Sequence, residues 1–313
     1  MDWSHILTLA FLGNVLAASL RLATPLIFAA LGETFAERSG VFNLGVEGIM
    51  LLCGLVGFAG AYATHNLWAG VLASALAGAL LGLLYAFFTV TLRADQIVAG
   101  FALLLMSTGG AIYFNRLIFP SRGGTQPQIE AFPVIPVPFL RDIPVIGQIL
   151  FNHTLLTYLM LVGVLVSAVI LYRTRFGLRV SAVGEYPQAA DSVGVSVVFI
   201  RYACVVIGAA LAGVAGGYFS LVDLGFYADT MVGGRGFIAL ALVVFGQWNP
   251  VLVLLGGLLF GAVEAIQQRF QILGSTIPPQ FMIMMPYLLT IVVLLLGRKR
   301  RAPSALTVPY ARE

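Results

Sequence analysis

Three polar side chains interrupt long apolar stretches of the sequence. Asn43 and Glu47 lie four positions apart in SGVFNLGVEG, a spacing that would place both on one face of a helix. Glu264 interrupts a later apolar stretch, where Arg21 is a candidate partner for it. An unpartnered charge is costly to bury in hydrocarbon, so these groups must face a polar cavity or each other. They would either line a path for a polar solute or hold helices together, and the sequence leaves both interpretations open.

Two further carboxylates, Glu33 and Glu37, follow the first apolar stretch, and we expect them at the cytoplasmic interface. Neither they nor the three polar residues belong to an enzyme motif. The sequence contains no HExxH and no GxSxG pattern, and its three histidines are far apart. We therefore predict no catalytic site and no metal site.

The lysine and cysteine positions exclude other chemistry. Lys299 is the one lysine of the chain and follows no glycine-rich loop, so the chain has no Walker A motif and is not itself an ATPase. Cys53 and Cys204 both fall in apolar stretches, which is typical of small packing residues and not of a disulfide or a metal pair. We expect no cofactor in this chain.

The composition is that of an integral membrane protein. The 313 residues are 60% hydrophobic and only 10% charged, with a mean hydropathy of +0.98. Apolar stretches near helix-spanning length predict an all-α, polytopic helix bundle and not a barrel of short alternating strands. The net charge of +4 does not indicate nucleic-acid binding, because the basic residues lie at the ends of apolar stretches and form no single patch.

We predict about nine spans. Their approximate positions are residues 6–31, 41–63, 68–91, 95–115, 154–172, 197–220, 235–247, 250–269 and 279–296. The seventh is short. Two spans carry small residues at intervals of four, which favours close helix packing. These residues are Gly70, Ser74, Gly78 and Gly82 in the third span and Gly208, Ala212 and Gly216 in the sixth.

Basic residues orient the spans. Arg173, Arg175 and Arg179 assign residues 173–196 to the cytoplasm, and the basic stretch 298–301 is assigned there too. With nine spans the amino terminus is then outside, and residues 115–152 form an extracytoplasmic, proline-rich loop. The whole chain, 1–313, reads as one transmembrane domain. Residues 48–82 and residues 236–261 form a weak internal sequence repeat, and the two copies are predicted to have opposite orientations in the membrane.

The cytoplasmic stretch 173–196 contains the pattern of a docking element. Gly184 and Pro187 mark a turn, Pro187 is suited to the first turn of a short helix, and Gly194 ends that helix. Small residues on one face of a helix beneath a membrane domain indicate contact with a partner. The candidate coupling residues are Gly184, Glu185, Pro187, Ala189, Ala190 and Gly194.

Several stretches resemble one transporter family. AVGEYPQAADSVGVSV is similar to the cytoplasmic coupling segment of ABC importer permeases of the branched-chain amino acid and ribose type, and most of all to their nucleoside and simple-sugar branch. The same branch is resembled by LGETFAERSGVFNLGVEGIMLL, RADQIVAG, GRGFIALALVVFGQWNPVLVLLGGLLFGAVEA and MPYLLTIVVLL, in this order. Together these stretches cover most of the chain outside the proline-rich loop.

The resemblance implies a permease subunit of an ATP-driven importer in a bacterial cytoplasmic membrane. It implies three partners: a cytoplasmic ATPase that binds ATP and Mg²⁺, a second related permease, and an extracytoplasmic substrate-binding protein. The substrate would be a nucleoside or a simple sugar. Nucleoside-type permeases tend to carry an asparagine in the span after RADQIVAG, where this chain has residues 101–105, FALLL, so the ligand class stays open.

One alternative from another class remains. A stand-alone, proton-coupled secondary transporter could use Glu47 or Glu264 as its proton carrier. Uptake that persists without ATP but collapses with a protonophore would favour it.

Overall fold

The protein is a helix bundle. The computed structural model describes residues 9–120, 127–136, 146–272, 281, 284–296 and 302–311. The helices of the first half are α1 (Leu9–Arg38), α2 (Val46–Thr64), α3 (Leu67–Ala86), α4 (Gln96–Ile118) and α5 (Ile146–Leu150). Those of the second half are α6 (Leu155–Arg173), α7 (Arg175–Glu185), α8 (Pro187–Ser192), α9 (Val197–Tyr218), α10 (Arg235–Phe245), α11 (Pro250–Ile272) and α12 (Met285–Leu296). The strands β1 (Val134–Pro136) and β2 (Asn152–Thr154) pair antiparallel.

Among the described residues, seven helices are long and apolar enough to cross a membrane, which agrees with a multi-pass protein. They correspond to the first six predicted spans and the eighth. The seventh corresponds to α10, an apolar helix of 11 residues. The ninth corresponds to α12, of 12 described residues. The beginning of the predicted ninth span and the basic residues 298–301 lie outside the described residues.

Both stripes of small residues lie in helix contacts. Side chains added at Gly78 or Gly82 would collide with α9 at Ala209, and one added at Gly213 would collide with Ser74. Ser74 is fully buried, and its Oγ also donates to the Cys53 carbonyl oxygen of α2 at 3.0 Å. The stripe of the third span thus lets α3 approach α9 backbone to backbone, while the stripe of the sixth span faces α1 and α2: Gly208 packs on the Gly32 carbonyl and Gly216 on the Met50 carbonyl.

α2 begins inside the bundle, away from the end of the bundle that carries α7 and α8. Gly216 packs on the Met50 carbonyl, and Ser220 Oγ donates to the Gly54 carbonyl oxygen at 2.9 Å, so α2 runs in the same direction as α9. Gly216 lies about 28 Å along α9 from Val197. Residues 39–45 therefore cover the distance between the end of α1 and this interior depth without regular helix.

Two polar residues satisfy the backbone of this irregular segment. Gln96 Oε1 accepts a hydrogen bond from Phe42 N at 2.8 Å, and Tyr85 Oη donates to the Phe42 carbonyl oxygen at 2.5 Å. Gln96 and Tyr85 are both buried. Irregular backbone at membrane depth requires such internal partners because lipid offers none.

α10 runs opposite to α2. Its first residues lie beside Glu47 in the first turn of α2, and the turn that follows it lies at the end of α1, where Trp248 Nε1 donates to Glu37 Oε2 at 2.6 Å. Glu33 and Glu37, expected at the cytoplasmic interface, lie near the end of α1. Both side chains are fully buried inside the bundle, because α1 continues as one helix to Arg38 and is covered there.

The proline-rich loop lies at the other end of the bundle. In its described part, Phe132 N donates to the Leu221 carbonyl oxygen at 3.0 Å, and Ile129 N donates to the Gly225 carbonyl oxygen at 2.9 Å. These bonds, together with the β1–β2 pair, hold the loop against the end of α9.

Candidate functional site

Glu47 joins the beginnings of the two interior helices. Its Oε1 accepts from Gly234 N and its Oε2 from Gly236 N, both at 2.7 Å. The first N–H groups of a helix have no partner within the helix and carry a partial positive charge, so a carboxylate stabilises them. Gly236 also packs directly on the Glu47 backbone.

Asn43 does not share a helix face with Glu47, so that expectation was wrong. α2 begins at Val46, and Asn43 lies in the turn before it. The side chain is buried, and its Oδ1 accepts a hydrogen bond from Gly45 N at 2.9 Å. The asparagine side chain thereby supports the turn that starts α2 at this depth, as asparagine commonly does in turns.

Glu264 forms an ion pair with Arg235, not with Arg21 as the sequence suggested. The Arg235 Nη1 also donates to the Met231 and Val232 carbonyl oxygens, each at 3.2 Å. Its guanidinium lies 5.3 Å from the ring centre of Phe219. The side chains of Arg235 and Glu264 are 26% and 13% exposed, so the pair is partly shielded from solvent. A buried pair needs such additional hydrogen bonds to offset its desolvation.

A small cavity of about 110 Å³ lies beside this pair. It has room for about four water molecules. Its wall includes hydrogen-bonding groups from three parts of the chain, while Asn43 and Glu47 are not in it. The lining residues are Leu26, Gly233, Arg235, Ile238, Phe260, Glu264, Gln267, Pro286 and Tyr287.

The stretch 173–196, predicted to be a cytoplasmic coupling segment, folds into two helices, α7 and α8, where the sequence predicted one. Thr174 Oγ1 accepts from Gly177 N at 3.2 Å and caps α7. The break between the helices falls at Tyr186, with Pro187 in the first turn of α8. Gly184 was expected in a turn but lies in the last turn of α7. A side chain there would overlap the carbonyl oxygen of Arg38.

The predicted coupling residues divide between two faces. Gly184, Pro187 and Ala190 are buried against the rest of the chain, while Glu185, Ala189 and Gly194 are exposed. Ala190 belongs to a buried cluster whose other members are Phe35, Leu171, Val180, Val183, Val197, Ile200 and Cys204. Gly194 has φ +84° and no atom near its Cβ position, so only its backbone conformation requires glycine.

Two apolar residues of this stretch were missed by the sequence analysis. Val193 is 79% exposed and Tyr186 is 64% exposed, and they lie at the two ends of α8. The sequence does show an apolar residue at each end of this short helix, and this pattern could have indicated an exposed apolar surface. Together with Ala189 they form what we call the α8 surface: Tyr186, Ala189 and Val193. Beside α8 lies a cleft of about 400 Å³, whose wall includes Arg93, Asp191, Gly194 and Tyr310.

A family model described as the branched-chain amino acid transport system/permease component matches residues 15–294. The chain belongs to this family. It is a membrane-spanning permease, a subunit of an ABC importer, and a multi-pass integral membrane protein.

Relatives match the permease along nearly its whole length. The guanosine ABC transporter permease protein NupQ of Bacillus subtilis is 38% identical, over 100% of this chain and 99% of its own. The nucleoside ABC transporter permease protein NupC of Lactococcus lactis is 39% identical, over 95% and 96%. A putative glucose ABC transporter permease protein, TsgC13 of Haloferax volcanii, is 37% identical, over 97% and 99%. No solved structure matches.

Two of these organisms hold a second, more distant permease of the same named system. In Bacillus subtilis it is the guanosine permease protein NupP, 26% identical over 79% of this chain. In Haloferax volcanii it is the glucose permease protein TsgB13, 28% identical over 77%. These pairs point to importers that use two related permease subunits.

Proposed function

We propose that this permease imports a nucleoside or a simple sugar along a path closed at the Arg235–Glu264 pair. The observation that carries the proposal is the arrangement around this pair: two helices that begin inside the bundle, run in opposite directions and meet at Glu47. Discontinuous helices of this kind bring partial charges and irregular backbone to the middle of a membrane, where transporters bind their substrates. The names of the relatives supply the two substrate classes.

Each polar residue of the site has a separate role in the proposal. Glu264 and Arg235 line the path, and their pair closes it in the conformation described here. Glu47 and Asn43 hold the helix beginnings that frame the path. Nucleosides and sugars carry several hydroxyl groups, which can hydrogen-bond to a carboxylate or a guanidinium when the pair separates. The cavity of about 110 Å³ is the part of the path that remains beside the pair.

The partners act at the two ends of the bundle. A cytoplasmic ATPase, which binds ATP and Mg²⁺, docks on the α8 surface and beside the 400 Å³ cleft. Exposed apolar side chains rimmed by polar residues are typical of such contacts. A second, related permease completes the membrane unit, and an extracytoplasmic binding protein delivers the substrate at the β1–β2 end.

Closure of the ATPase then displaces α7 and α8. Val180, Val183 and Ala190 of these helices share a buried cluster with residues of α1 and α9. Because packed helices move together, the displacement reaches the long helices that surround the path. This account includes nine spans, with α10 and the helix that contains α12 among them, and an external amino terminus.

Transport by the whole complex tests the proposal. The permease, its partner permease, the ATPase and the binding protein are reconstituted in liposomes, and uptake of radiolabelled guanosine and glucose is measured with ATP inside. We expect ATP-dependent accumulation of one of the two, competed by its own class. Accumulation by this chain without an ATPase would contradict the proposal, as would ATP-independent uptake abolished by a protonophore.

A further inference from the structure

The segment of residues 302–311 packs across the α7–α8 end of the bundle. Ala305 N donates to the Gly184 carbonyl oxygen of α7 at 2.8 Å, and Thr307 N donates to the Gly40 carbonyl oxygen beyond α1 at 3.2 Å. Ser304 Oγ also donates to Glu185 Oε2 at 2.9 Å. The segment therefore bonds the end of α7 on one side and the chain that follows α1 on the other.

A buried arginine attaches the same segment to α9. Arg201 is 1% exposed, and its Nη1 donates to the Val308 carbonyl oxygen at 3.0 Å. The Nε and Nη2 groups of Arg201 have no hydrogen-bond partner among the described residues. A buried cation requires acceptors, so the Val308 carbonyl offsets part of its desolvation.

Side chains of the segment join both large buried clusters. Leu306 packs against the main core of the bundle. Tyr310 packs against the cluster that contains Ala190 of α8, and it also lines the cleft beside α8. Ala305 is also buried.

The backbone of the segment is held in a strained form. Thr307 has φ +66°, a conformation that β-branched residues rarely adopt. Such strain persists only where surrounding contacts impose it. The hydrogen bond from Thr307 to Gly40 and the packing of Leu306 are such contacts. The segment is therefore fitted to this face of the bundle.

We propose that residues 302–311 are a positioning element for coupling: they hold α7 and α8 against α1 and α9, so that movement of the coupling helices moves the membrane helices. This inference rests on the proposed function, because it assigns the segment a part in ATPase-driven transport. Gly184 of α7 packs on Arg38 of α1, and Phe35 of α1 shares a buried cluster with Val180 and Val183 of α7. The segment adds a further connection, from α7 to the chain that follows α1 and to α9.

Deletion of the segment tests the inference in the reconstituted complex. One chain lacks residues 302–313, and a matched control lacks only residues 312–313. The deletion of 302–313 should lower uptake by about tenfold, while the complex still assembles and ATP hydrolysis continues, so that fewer molecules are imported per ATP. The control should transport like the full chain.

A second pair of variants separates coupling from folding. Arg201→Leu removes the buried charge together with its bond to Val308, and Arg201→Lys keeps the charge and a single donor nitrogen. We expect Arg201→Leu to reduce the imported molecules per ATP as the deletion does, Arg201→Lys to restore part of it, and Arg201→Leu to add nothing in the deleted chain.

Three results would overturn the inference: full uptake by the deleted chain, equal loss of uptake and ATP hydrolysis, or additive effects of Arg201→Leu and the deletion. These results are distinct from failure of the proposed function, which would already appear as the absence of ATP-driven uptake by the full chain.

Discussion

The interior site and the α8 surface differ in the kind of side chain that they present. At the interior site, the polar side chains of Glu47, Arg235 and Glu264 all have partners within the chain. On the α8 surface, Tyr186 and Val193 are apolar and exposed. The difference teaches that these three interior polar residues are paired within the chain, while the surface that we propose for the ATPase is apolar. Substitutions at the interior site should lower the free energy of unfolding, whereas substitutions on the α8 surface should weaken the binding of a partner.

The largest effect on stability should come from breaking the Arg235–Glu264 pair. Glu264→Leu removes the carboxylate partner of a partly buried guanidinium, which keeps only its bonds to the Met231 and Val232 carbonyl oxygens, and this costs about 3 kcal/mol. The double variant Arg235→Leu, Glu264→Leu should recover most of this loss but not transport. Thermal unfolding in detergent measures the first and reconstituted uptake the second. Equal instability of the single and double variants would show that the pair does not act as a unit.

Glu47→Gln should have the next largest effect. The amide has one acceptor oxygen in place of two, so one of the α10 N–H groups loses its partner at a cost of about 1–2 kcal/mol. The free energy of unfolding measures this loss. Asp95→Asn is the matched control: Asp95 caps α4 in an exposed position and accepts both of its bonds with one oxygen. Equal losses of stability in the two variants would show that the interior position of Glu47 does not increase the cost of losing a hydrogen bond.

Gly194→Ala should have a smaller effect. The cost of about 1 kcal/mol comes from the left-handed backbone conformation alone, because no atom lies near the added Cβ. Gly163→Ala is the control, since Gly163 lies within α6 and also has open space around it. There alanine should be neutral or slightly stabilising, by up to about 1 kcal/mol. A destabilisation at Gly163 as large as that at Gly194 would contradict this explanation.

The sequence was sufficient to predict features that follow from a regular pattern of residues along a helix. Apolar length predicted the positions of the long spans, and the small residues from Gly70 to Gly82 predicted close packing. Pro187 and Gly194 predicted the limits of the α8 region. These features depend on near neighbours in the chain, and the side chains themselves carry the signal.

The partners of the polar residues could not be predicted in the same way. Glu264 pairs with Arg235 because α10 begins inside the bundle, and Glu47 reaches the same helix beginning from almost 190 positions away. The length and spacing of apolar stretches do not reveal that a helix begins inside the bundle. The role of residues 302–311 was hidden for the same reason, since their bonds go to Gly40, Gly184 and Arg201.

The central claim is that the permease is driven through the α8 surface. Val193→Asp tests it, with Val134→Asp on β1 as the matched control, because Val134 is a half-exposed valine at the opposite end of the bundle. Both substitutions should change the free energy of unfolding by less than about 0.5 kcal/mol. Capture of the ATPase by the purified permease pair is then compared. We predict that Val193→Asp abolishes capture and ATP-driven uptake while Val134→Asp retains both; normal capture and uptake by Val193→Asp would contradict the account.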